Sequence, residues 1–84
     1  MLILCDFARL NTAENVYDHL ARELDLPDYF GRNLDALFDC LTDIGTPTRL
    51  VLTGADSPCA QRFLPMLRDA ARKNRRLSLE VHRE

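Results

Sequence analysis

Two short apolar runs constrain this chain more than anything else in it. LILCDF occupies residues 2–7 and RLVLTG residues 49–54. Each is too short for a buried helix, and both are rich in branched or bulky apolar residues, as strands are. Near-continuous apolar character predicts strands covered on both faces, the pattern of a parallel sheet. Parallel strands need long crossovers. The 41 residues between the two runs carry helical periodicity instead of hairpin turns.

Val16, Leu20 and Leu24 recur every four residues with Tyr17 alongside, which predicts an amphipathic helix over 13–25. Asn11 or Thr12 can cap it, and Asn11 with Glu14 has the spacing of a capping box. Leu26-Pro27 ends it, because the residue before proline is pushed out of the helical region. A second helix is expected over 34–43, capped by Asn33. Leu34, Leu37, Phe38 and Leu41 form its core-facing stripe. Ser57-Pro58 opens a third helix over 58–74, with Pro65 expected to kink or restart it. LSLEVHR, residues 77–83, alternates apolar and polar positions and reads as a last strand with one wet face. The expected fold is α/β: a small three-stranded parallel sheet packed against about three helices, in the order β-α-α-β-α-β.

At 84 residues the chain is long enough for one domain, expected over 1–84, and too short for two. No stretch approaches the length of a membrane span. The apolar start lacks the basic leader and small-residue cleavage site of a secretory signal. Cys5, Cys40 and Cys59 are odd in number and form no CxxC pair, which argues against a disulfide framework or a zinc site and for a reducing cytoplasm.

Enzyme motifs are scarce. The three glycines are scattered, so no phosphate-cradling loop forms. His19 and His82 read as surface histidines without a placed partner. Cys40 adjoins Asp39, which would raise its thiol pKa and so disfavour a nucleophile. No catalytic residue, metal site, cofactor or small-molecule substrate is expected.

Charge is uneven. Residues 1–61 carry 10 acids and 4 bases, whereas residues 62–84 carry 7 bases and 3 acids. The basic run RKNRR, 72–76, is a candidate for contact with RNA, although no aromatic interleaves with it. Its plainer role is to complement a helix C-terminus.

The acidic segment says more. Asp35 and Asp39 lie four apart on the second helix, a like-charge spacing that costs about 0.2–0.5 kcal/mol. On a helical wheel Asp39 sits about 40° from Asp35, and Thr42 about 20° to the other side. Phe38 marks the border with the leucine stripe. The helix N-terminus accounts for Asp35 but not for Asp39 or Asp43. Tyr29, Phe30 and Gly31 lead into this face, and aromatics beside placed charges have the composition of a binding hot spot. A solvated polar face is the competing explanation.

LPDYFGRNLDALFDCLT, residues 26–42, resembles the barstar family, inhibitors of secreted bacterial ribonucleases. Weaker similarity extends to the first strand, the first helix, RLVL, LRDA and the last strand. The resemblance implies a cytoplasmic protein that occludes the basic active-site cleft of a secreted bacterial ribonuclease, with no direct contact to nucleic acid or membrane. It implies that Asp39 enters the enzyme's phosphate site, that Asp35 pairs near its guanine-recognition rim, and that Tyr29 stacks on its catalytic histidine. Phe38 would add apolar contact, Thr42 a polar one, and Asp69 of LRDA an acid on the last helix. Phe30, Gly31 and Asn33 belong to the same motif. Arg32, Phe38, Asp43 and Ile44 depart from the family pattern, which bears on the choice of target. A small RNA-binding module using Arg72, Lys73, Arg75 and Arg76, an enzyme using Cys40 or a histidine, and an antitoxin of the same fold against a non-ribonuclease partner remain as alternatives.

Overall fold

The computed structural model describes residues 1–27 and 30–83. Six elements follow in the expected order: β1 (Leu2–Asp6), α1 (Ala13–Glu23), α2 (Leu34–Thr42), β2 (Thr48–Thr53), α3 (Pro58–Lys73) and β3 (Leu77–Val81). The strands form one parallel sheet in the order β1-β2-β3, with Leu4 beside Val51 and Val51 beside Glu80.

The sheet is covered on one face only, which corrects the expectation that both faces of β1 are buried. Ile3, Cys5, Leu50, Leu52 and Leu77 turn inward under the helices. Leu2 and Leu4 are each 59% exposed on the opposite face. There they share rows with Arg49, Ser78, Val51 and Glu80. An alternating pattern was hidden because β1 is apolar on its wet side as well. On that side Glu80 takes hydrogen bonds from His82 first and then Arg49, which hold its carboxyl below the usual range.

Helix ends are built from local side chains. Thr12, not Asn11, caps α1: its hydroxyl accepts from the amide of Asn15 at 3.1 Å. Glu14 does not complete a capping box, since the residue three beyond Thr12 is Asn15. α1 closes in a Schellman motif, with Leu26 N–H bonded to Ala21 C=O at 2.9 Å and Asp25 N–H to Arg22 C=O at 3.4 Å. Asp25 takes the left-handed φ of +52° that this motif requires. Ser57 caps α3 through Ala60 N–H at 3.1 Å. The helix runs unbroken past Pro65 with no restart. Pro65 and Gln61 lie on the exposed side, where water can satisfy the carbonyl that proline leaves without a donor.

α2 is held from two directions. Leu37 and Leu41 are fully buried in the core beside Leu20, Phe63 and Leu67. At its C-terminal end, Asn74 is buried and donates its side-chain amide to Leu41 C=O at 2.9 Å and Ile44 C=O at 3.0 Å. Its own oxygen accepts from Arg76 N–H at 3.0 Å. The residue that stops α3 therefore also bonds carbonyls at and just beyond the end of α2, where Leu41 C=O otherwise has only long local bonds such as that from Ile44 N–H at 3.5 Å.

Candidate functional site

The loop entering α2 is shaped by short-range chemistry. Asn33 accepts from Ala36 N–H at 2.8 Å and donates to Gly31 C=O at 3.2 Å. A side chain at Gly31 would bring its Cβ to 3.1 Å from the Asn33 amide, so glycine leaves room for the cap. Arg32 adopts φ +52° and forms an ion pair with Asp18 on α1. Both groups are about half exposed, so the pair adds little stability, but it ties the loop to α1. Phe30 points inward: half-buried, it meets Tyr17 edge-on at 6.0 Å between ring centroids. Tyr29, assigned to this surface from the sequence, lies outside the described residues.

α2 presents Asp35 and Asp39 outward while Leu37 and Leu41 anchor beneath. Both carboxylates are exposed, and among the described residues neither forms an ion pair. The negative field is felt next door. Burial first, then Asp39 and Asp43, push the Cys40 thiol up from its ordinary pKa, so it stays protonated and is a poor nucleophile. Beside Asp39 a hollow of about 440 Å³ opens between the end of α1 and the end of α2, walled by Leu24, Leu26, Pro27, Cys40 and Ile44. Thr42 spends its hydroxyl hydrogen on Asp39 C=O at 3.0 Å, which leaves its oxygen lone pairs for an outside donor.

Phe38 forms the border expected of it, half-buried against the core. Sequence reasoning missed its companion: the Lys73 ammonium lies 5.0 Å from the ring centroid, a cation–π contact. Asp69 stands one turn before Lys73 on α3, on the same helix face. Its carboxylate is paired with exposed Arg72. The RKNRR run is thereby divided among tasks, since Arg72 holds Asp69, Lys73 covers Phe38 and Asn74 is buried under α2. His19 is also placed: its Nε2 donates to Leu4 C=O at 2.7 Å, on the outer edge of β1.

An inward leucine stripe under an outward pair of unpaired acids, reached through a short FGRN turn, is the geometry that the sequence motif requires. A family model described as Barstar (barnase inhibitor) matches residues 1–82. The chain belongs to the barstar family. A relative from Bacillus subtilis (strain 168), named "Putative ribonuclease inhibitor YrdF", is 49% identical over 51 residues. That match takes in 60% of this chain and 56% of the relative, so it spans little more than half of the relative's length. Among the described residues no group of His, Cys, Asp or Glu is arranged to hold a metal ion, and no helix is long and apolar enough to cross a membrane. The matching family model is described as that of an inhibitor, and α2 carries two unpaired acids while Leu37, Leu41 and Asn74 hold it from beneath and from its C-terminal end.

Proposed function

We propose that this barstar-family chain acts in the cytoplasm as a stoichiometric inhibitor of a secreted bacterial ribonuclease, without turnover or cofactor. The observation that carries this reading is the unpaired Asp35–Asp39 face on a helix fixed by Leu37, Leu41 and Asn74. Two carboxylates one turn apart imitate the charge of successive phosphates. They suit the Arg, Lys or His groups that line a nuclease cleft. Asp39, beside the hollow at the end of α1, takes the phosphate-binding groups, and Asp35 pairs at the rim. Tyr29, Phe30, Gly31, Asn33, Phe38 and Thr42 complete the surface, with Asp69 at its α3 margin. A preformed mount matters because less ordering remains to be paid on association.

The test mixes the chain with candidate secreted ribonucleases and follows RNA hydrolysis. Hydrolysis should stop at one equivalent of inhibitor and return when Asp39→Ala is used. Full inhibition by the Asp35→Ala, Asp39→Ala double variant would refute the assigned face. An RNA-binding role for residues 72–76 is less well supported, because Arg72 and Lys73 are already engaged within the chain.

A further inference from the structure

The three-stranded sheet has two outer edges, and they are treated differently. On β1 the Leu4 carbonyl is taken by His19. On β3 the ladder to β2 runs through alternate residues: Thr48 N–H bonds Arg76 C=O at 2.7 Å and His82 N–H bonds Leu52 C=O at 2.8 Å. In a parallel ladder the residues between them turn their backbone groups the other way. The N–H and C=O of Leu79 and Val81 therefore face outward, and among the described residues no strand pairs with that edge.

The groove beside this edge is basic. Two adjoining depressions of about 330 and 320 Å³ separate β3 from α3, and Arg68 lines both. Arg83 contributes to one and Arg72 to the other, over a floor of Leu64, Leu79 and Val81. Among the described residues no carboxylate lines either depression. Arg72 is shared with Asp69, whereas Arg68 and Arg83 form no ion pair among the described residues. Glu80, the acid on β3, sits on the bare sheet face between Arg49 and His82.

We propose that the outer edge of β3 is a second binding surface, which captures an extended acidic peptide segment as a fourth strand. Backbone pairing supplies the attraction and the arginines select the sequence, as in other cases of strand addition. A second copy of this chain is a poor occupant, because edge-to-edge pairing would set the Arg68 and Arg83 rows against each other. On an incoming strand of alternating character the acidic side chains would instead lie on the α3 side beside them, and its apolar side chains on the bare face of the sheet. No residue of α2 lines the groove, and the two surfaces adjoin only on α3, where groove-lining Arg72 is paired with Asp69.

The test uses a fluorescent eight-residue peptide alternating Val and Glu, followed by anisotropy against the full chain. Saturable binding is expected, with amide shifts in labelled protein centred on Leu79 and Val81. Arg68→Glu with Arg83→Glu should weaken it by about tenfold, equivalent to about 1.4 kcal/mol, and the neutralising pair Arg68→Gln, Arg83→Gln by less. Thermal melts of each variant serve as the folding control. A peptide N-methylated on both edges should fail to bind. Equal binding of the methylated peptide, shifts centred on α2, tighter binding of an RNA oligonucleotide, or no saturable binding would each overturn the proposal. The last result would leave the arginines as guards against self-pairing.

Discussion

The side-chain amide of Asn74 donates to the carbonyl of Leu41, 33 positions earlier, and so fastens the end of α3 to the end of α2. Replacing Asn74 with Ala leaves the Leu41 and Ile44 carbonyls without that donor, and a buried polar group left unsatisfied costs about 1–3 kcal/mol. Urea denaturation of Asn74→Ala should show a loss of this size. Target affinity should fall beyond what the folded fraction explains, since α2 loses one of its two fixings. An affinity unchanged at full folding would mean that the leucines alone orient the acid face.

Asp39 stands exposed with no ion pair among the described residues. In the proposed complex it is desolvated against basic groups, and removing one member of such a pair costs about 3–5 kcal/mol. Surface plasmon resonance with the cognate ribonuclease should show Asp39→Ala acting mainly on dissociation. Association of the native chain should slow as salt rises, because exposed charges are screened beyond about 10 Å at 0.1 M salt. Salt-independent association would argue against an acidic docking face.

Asp25 holds a left-handed conformation at the end of α1. A left-handed backbone costs a residue with a Cβ about 1–2 kcal/mol, partly offset by the greater freedom glycine has when unfolded. Asp25→Gly is expected to raise stability by about 0.5–1 kcal/mol. A lower midpoint in thermal unfolding would show that the Asp25 carboxylate does something the glycine cannot.

Cys5 lies buried on β1, and burial, with a smaller contribution from Glu23, pushes its thiol up to about 12 from 9.0. The folded protein therefore holds this proton more tightly than the unfolded chain. The stabilisation is complete below pH 9 and declines as pH rises toward 12, by no more than about 1.4 kcal/mol per pH unit. Cys5→Val should flatten the stability profile across that window. A thiol reagent at neutral pH should reach Cys40 and Cys59 before Cys5; early labelling of Cys5 would contradict its burial.

Much of this was legible in the sequence because it is local. Asn33 and Ser57 cap the helices expected of them, and the spacing of Leu37 and Leu41 put Asp35 and Asp39 outside. Contacts over long separations were not. Asn74 was readable as a helix stop, but its bonds to Leu41 and Ile44 depend on how two helices meet. His19 looked like a plain surface residue until the backbone of β1 came within reach. Arg32 looked like a positive charge set against the acid face, whereas its pairing with Asp18 settles much of that charge on α1. The bare side of the sheet was masked because Leu2 and Leu4 are as apolar as the inward Ile3.

A sheet shielded on one side only gives this small protein a front and a back. The rows of Leu2, Leu4, Arg49 and Val51 take no part in aiming α2. A dye, an affinity handle or a fusion partner can be attached through that reverse surface, and the molecule can be laid on a sensor chip with its acidic helix turned toward the solution.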